Sequence, residues 1–269
     1  MEAPLRAILP LFASLLLCAC ARGPHLPEAR TVQPTFSLQR ADVEAIRADA
    51  LDATFRFAVH NPYHGVTGME EVRWTLVVPG GRTLEGTTEG LDFDDAEAGV
   101  LDVPVTLTWT DLGAALDAAA DEGGIPWRMH ATAIFDLPRE DVAVDASGEG
   151  VLPYAPPPQV QLAGILPLSA GEAPAVEVML DTLGMPRVAR MSYRLDVGYL
   201  QVAHGVANTS WDGDRVSLVV PVPTEAFAAL VEGTHARFRA TADVRTPHGL
   251  APLALDVEDT VAFGGAPQI

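Results

Sequence analysis

His60 and His64 stand four residues apart, a spacing that on a helix puts both imidazoles on one face, as in zinc-binding metalloprotease motifs. Pro62 and Gly65 oppose a helix there, and no glutamate follows His60, so no metal site is expected. Asp92-Phe93-Asp94-Asp95-Ala96-Glu97 gathers carboxylates of the kind that hold calcium. It lacks the EF-hand spacing and reads as a solvated acidic loop. Ser147, in Ser-Gly-Glu-Gly, lacks the strained Gly-x-Ser-x-Gly elbow of a serine nucleophile. No Walker loop or dinucleotide glycine signature occurs. Trp74, Trp109, Trp127 and Trp211 either line a ligand cleft or fill a core, and core packing is the expected role. No catalytic residue, metal ligand or cofactor site is expected, and the chain reads as a non-enzyme.

The remaining reactive group is a thiol. Arg6 gives a positive start, residues 7–17 form a short apolar run, and Leu17-Cys18-Ala19-Cys20 ends it. Charge, apolar stretch and small-residue cut site, in that order, make a secretory signal. The run is too short for a membrane span, which needs roughly 20 apolar residues, and Pro10 interrupts it. The cysteine at the cut resembles the lipobox of bacterial lipoproteins, in which the thiol is acylated and becomes the new N-terminus. That resemblance makes residues 1–19 a signal peptide and Cys20 the lipidation site. Ala21 is not the aspartate of an inner-membrane retention signal, so the outer membrane, facing the periplasm, is the expected location. Residues 20–34, with three prolines among residues 22–34, read as a tether.

Composition sets further bounds. Seventeen basic residues, all arginine, face 36 acidic ones, for a formal charge of −19. That balance lacks the basic patch of a nucleic-acid binder and opposes electrostatic docking on anionic lipid. The expected membrane attachment is therefore the acyl group. Cys18 and Cys20 are the only cysteines, and Cys18 leaves with the signal, so no disulfide within one mature chain is expected.

The elements repeat. Residues 31–154 and 159–263 carry the same landmarks in order, separated by Pro156-Pro157-Pro158, which reads as a stiff spacer. An alternating strand (53–59; 175–180) leads to a turn with Pro and Gly. An aromatic-bearing strand follows (72–78; 191–197), then a proline-bearing strand (101–107; 216–222). Proline places that strand at an edge or a bulge. A helix is predicted after Thr110-Asp111, over 112–120, and another after Thr224-Glu225, each of about eight to twelve residues, with Gly123 and Gly233 as stops. An Ala-Thr-Ala strand and a closing strand complete each copy. Six or seven short strands and one small helix per copy predict an all-β fold: two tandem antiparallel sandwiches, over residues 35–155 and 159–265.

Phe55-Arg56-Phe57-Ala58-Val59-His60-Asn61-Pro62-Tyr63 is an alternating strand ending in Asn-Pro. With Trp74 on the next strand, the Gly80-to-Gly86 turn and Val103-Pro104-Val105, it resembles the late-embryogenesis-abundant group 2 domain, also called the WHy (water stress and hypersensitive response) domain. The second copy departs, with Leu183-Gly184-Met185-Pro186 in place of Asn-Pro. The resemblance implies immunoglobulin- or fibronectin III-like sandwiches, a link to desiccation or osmotic stress, and no enzyme activity. Asn61 and Pro62 are expected to be structural, because asparagine bonds the backbone ahead and proline presets the turn. The functional expectation is a non-catalytic, membrane-anchored envelope lipoprotein that binds an envelope protein or protects under stress; the alternative is a periplasmic carrier of lipid or another apolar ligand.

Overall fold

The computed structural model describes residues 33–63, 68–92, 98–137, 140–166, 175–181, 188–213, 215–227 and 235–260. Cys18, Cys20, His64, the acidic run from Phe93 to Glu97, the 183–186 turn and Gly233 lie outside them.

The chain is all-β. The first half contributes β1 (Thr35–Ile46), β2 (Ala50–His60), β3 (Met69–Val77), β4 (Thr83–Leu91), β5 (Ala98–Thr108), β6 (Gly124–Asp136) and β7 (Asp141–Pro153). The second contributes β8 (Gln159–Leu166), β9 (Ala175–Asp181), β10 (Arg190–Val197), β11 (Leu200–Asn208), β12 (Ser210–Asp212), β13 (Arg215–Pro221), β14 (His235–Thr246) and β15 (Gly249–Thr260). Each landmark strand overlaps one of these, the expected 72–78 and 216–222 running one residue past the ends of β3 and β13. β2 shows why: Ala53, Phe55, Phe57 and Val59 are buried and the residues between them are half-exposed, the period-two pattern of a strand with one face on a core.

Among the described residues three sheets form, with orders β11-β10-β14-β15-β1-β2-β5, β4-β3-β6-β7 and β12-β13-β9-β8. The halves match strand for strand. β1-β2-β5 corresponds to β8-β9-β13, and β4-β3-β6-β7 to β11-β10-β14-β15; β12 is extra. Phe55 of β2 meets Trp127 of β6 edge-on, ring centroids 5.0 Å apart, so the first half's two sheets pack face to face. Phe36 stacks on Phe57 at 4.6 Å in the same core. In the second half Val178, Leu180, Leu218 and Val220 on one sheet and Leu195, Phe238 and Leu253 on the other are buried in the same contiguous cluster.

The halves also join. β15 pairs in parallel with β1 at Ile46 and Leu253, making one seven-stranded sheet. Tyr154, Ala155 and Pro158 are buried, so the Pro156-to-Pro158 segment packs on the protein instead of spanning solvent. Apolar flanks on both sides of the prolines account for this. β5 is an edge of its sheet, as Pro104 requires. Pro221 lies on the part of β13 that β12 does not reach, since β12 pairs only with Arg215 to Ser217.

The helix of the first copy differs from expectation. It is two short helices, α1 (Trp109–Leu112) and α2 (Ala115–Glu122). Gly113, at φ 50°, breaks the run. The N-cap is Thr108, whose hydroxyl accepts the Asp111 N–H at 3.2 Å, while Asp111 Oδ2 accepts the Thr108 N–H at 3.1 Å. Thr110 lies inside α1. Gly123 ends α2 with φ 71°. In the second half α3 (Thr224–Phe227) covers four described residues. Among the described residues no helix is long and apolar enough to cross a membrane.

Candidate functional site

Asn61 and Pro62 follow the last residue of β2. Asn61 is 1% exposed, and its Oδ1 accepts the Tyr63 backbone N–H at 3.1 Å. The side chain closes the turn as a backbone carbonyl would; Pro62 is half-buried. Asn61→Ala removes that acceptor and is expected to lower stability by about 1 kcal/mol. Urea unfolding checks this; an unchanged midpoint would contradict the turn role.

The tryptophans with described side chains pack. Trp127 is 6% exposed and covers Gly150, its cross-strand partner, where a Cβ would come within 3.0 Å of the ring. Trp74 covers Gly86 in the same way and donates Nε1–H to Thr88 at 3.2 Å. Trp109 donates to the Ala48 carbonyl at 2.6 Å and meets Tyr154 edge-on at 6.0 Å. Burial pushes the Tyr154 hydroxyl up to about 12. The Trp211 side chain lies outside the described residues.

One constellation escaped the sequence reading. Ser147 on β7 pairs across to His130 on β6, with Oγ and Nδ1 3.0 Å apart. Asp145 Oδ1 is 3.9 Å from His130 Nε2, but its hydrogen bond comes from Thr132 at 2.6 Å. The residue types are those of a hydrolytic triad, yet the imidazole–carboxylate contact exceeds hydrogen-bond length. His130 and Asp145 side chains are 56% and 67% exposed on an open strand face. Water therefore competes for every group. The register would have shown the pair: Asp136 and Asp141 close the β6–β7 hairpin, and His130 and Ser147 each lie six residues from them. His60, at the end of β2, pairs with Thr35 and Ala98; among the described residues no cluster of three metal-ligating groups occurs.

The outward face of the seven-stranded sheet carries arginine–carboxylate pairs. Arg56 holds Asp102 through two hydrogen bonds, at 2.7 and 2.9 Å, across β2 and β5. Arg237 donates Nε–H to Asp256 at 2.6 Å. Asp196, with a side chain only 7% exposed, receives both Arg194, at 2.8 and 3.0 Å, and Arg239. Burial pushes the Asp196 carboxyl up, but the hydrogen bonds and charges of the two arginines outweigh it, and it lies below the ordinary aspartate value. Hydrogen bonds from Arg56 and Arg237 likewise hold Asp102 and Asp256 low. A carboxyl depressed by folding stabilises the fold above its unfolded pKa and ceases to do so as pH falls through its folded pKa. The ordinary value is 3.8. These three groups are therefore expected to leave the melting temperature unchanged between pH 7 and 5 and to lower it below about pH 4. Asp196→Asn should flatten that acid limb in a pH series of thermal melts.

Two grooves stand out. One, of about 830 Å³, runs over β10, β14 and β15 beside the β1–β2 turn. The other, of about 630 Å³, opens at the edge strand β11 between the sheets of the second half. Tyr193, Leu200, Val202, Val222, Pro223 and Ala226 give it an apolar lining.

No family model matches the chain, and no curated protein matches it. Solved structures are similar to part of it. The solution structure of an Arabidopsis thaliana protein is 19% identical, with 44% of this chain and 80% of that chain covered and a TM-score of 0.38. A solution structure provisionally assigned to the late embryogenesis abundant (LEA) proteins is also 19% identical, covering 54% and 84%, with a TM-score of 0.38. A crystal structure of a protein from Archaeoglobus fulgidus is 13% identical, covering 44% and 97%, with a TM-score of 0.35.

Proposed function

We propose that this chain is a non-catalytic lipoprotein of the cell envelope, tethered through Cys20 to the outer membrane and presenting tandem LEA2/WHy-like sandwiches, residues 35–155 and 159–265, to the periplasm. The observation that carries the tandem reading is the repeated strand order: β1-β2-β5 with β4-β3-β6-β7, then β8-β9-β13 with β11-β10-β14-β15. A protective role under desiccation or osmotic stress fits the surface. With 36 acidic residues in 269, the folded part keeps a dense shell of bound water and resists association. A non-catalytic role fits the open strand face on which Ser147, His130 and Asp145 stand. Drying a labile client enzyme with the purified protein, then rehydrating it, tests the role. Greater recovery of client activity than an equal mass of albumin gives is expected; recovery no better than albumin's contradicts it.

The second reading is a carrier of lipid or another apolar ligand, favoured by the apolar groove beside β11. Native mass spectrometry after gentle extraction separates the two. A stoichiometric bound lipid that is lost on Val202→Asp supports the carrier.

A further inference from the structure

The larger groove departs from the chain's acidic balance. Over the whole chain, acids outnumber bases 36 to 17. Four arginines (Arg47, Arg194, Arg237 and Arg239) and three acids (Asp49, Asp256 and Glu258) line the groove, and Asp196, bonded to two of the arginines, brings the count there to four against four. The arrangement on the sheet is specific. Arg194 on β10 stands directly opposite Arg239 on β14, and one step along the same face Ser192 stands opposite Thr241. All four line the groove. Adjacent strands and alternate residues set these side chains at the corners of a rectangle of roughly 5 by 7 Å.

Like charges directly opposite one another on a sheet are unfavourable. Asp196 is the one carboxylate that bonds both arginines, and it does not exhaust their donors. Arg194 reaches it through Nε, leaving its Nη groups without a hydrogen-bond partner among the described residues. Arg239 reaches it through one Nη, and its Nε is buried with no partner. No described side chain bonds the Ser192 or Thr241 hydroxyl. Arg47 reaches the groove from the β1–β2 turn, held by Asp52 at 3.1 Å. Two guanidinium groups, each fixed by a carboxylate to one side, with two free hydroxyls beside them, match the several acceptor oxygens of a phosphate.

We propose that Ser192, Thr241, Arg194 and Arg239 form a binding site for a phosphate group, with Arg47 closing it from the first half of the chain. The phosphate is either free or part of a lipid headgroup.

The test titrates inorganic phosphate into the Cys20→Ala chain, which carries no acyl group, at constant ionic strength balanced with chloride. Arginine Nε–Hε signals are followed by NMR. The Arg194 and Arg239 signals are expected to shift saturably, while that of Arg56, already held at both ends by Asp102, stays. Ser192→Asp puts a carboxylate into the exposed array and should weaken the response at least tenfold with an unchanged circular dichroism spectrum; Arg194→Gln should do the same. Phosphatidylglycerol and phosphatidylcholine vesicles form the second arm. Retention on phosphatidylglycerol vesicles that Ser192→Asp abolishes assigns the site to a headgroup. Saturation by free phosphate without retention assigns it to a soluble phosphate. Arg56 shifting as much as Arg194, a Ser192→Asp chain responding like its parent, or no response in either arm overturns the proposal.

Discussion

Phe55→Ala is expected to remove about 4 kcal/mol of stability, within the range for emptying a buried phenylalanine site. Phe55 is fully buried at the middle of β2, and its ring meets Trp127 edge-on across the two sheets of the first half. Truncation removes the ring's burial and also leaves a cavity that two hydrogen-bonded sheets cannot collapse to fill. Trp127 loses its partner at the same time, so the near-ultraviolet dichroism of the indole should fall with the urea midpoint. Domains hold only about 5–15 kcal/mol in total, so the loss is a large share. A midpoint shift equivalent to about 1 kcal/mol or less would mean that the two sheets do not pack through Phe55.

Gly90→Ala is the second large effect. Gly90 lies in β4, where β3 brings its backbone unusually close. A Cβ at Gly90 would stand 1.5 Å from the Met69 carbonyl oxygen and 2.4 Å from its carbon. Those are backbone atoms of a paired strand, so the clash cannot be relieved by a rotamer change. The strands must separate, at a cost of about 3 kcal/mol. Gly198 supplies the control. It has φ 57° and nothing within 4 Å of the Cβ position, so Gly198→Ala costs only the left-handed backbone penalty, about 1 kcal/mol. Urea unfolding should rank Gly90→Ala well above Gly198→Ala; equal midpoints would contradict the close β3–β4 approach.

What was legible in the sequence follows from the range of each interaction. β2 and β9 were visible because one face of each is buried, which writes period two into the residues. Both halves write the same order of strands and turns in sequence, and the strand orders of their sheets correspond. The N-cap lies two residues before the expected one: Thr108 and Thr110 are both capping residue types, and only the bonds with Asp111 decide between them. Gly113 lies inside an alanine- and leucine-rich stretch that reads as one helix, although its positive-φ backbone ends α1. The parallel pairing of β1 with β15 left no trace, because one contact between residues 46 and 253 imposes no local period. The His130–Ser147 pair could be counted from its hairpin. Arg194 and Arg239 could not, because β10 and β14 are neighbours across a crossover that passes through β11, β12, β13 and α3.

The proposed role depends on an anchor at Cys20, since a tether there would set what the acidic surface meets. Membrane fractionation of the full-length chain and its Cys20→Ala variant tests this directly. The parent chain is expected in the membrane pellet, resisting extraction by high salt and released by detergent, with the variant in the soluble fraction. A Cys20→Ala chain that stays in the pellet as firmly as its parent would contradict the account.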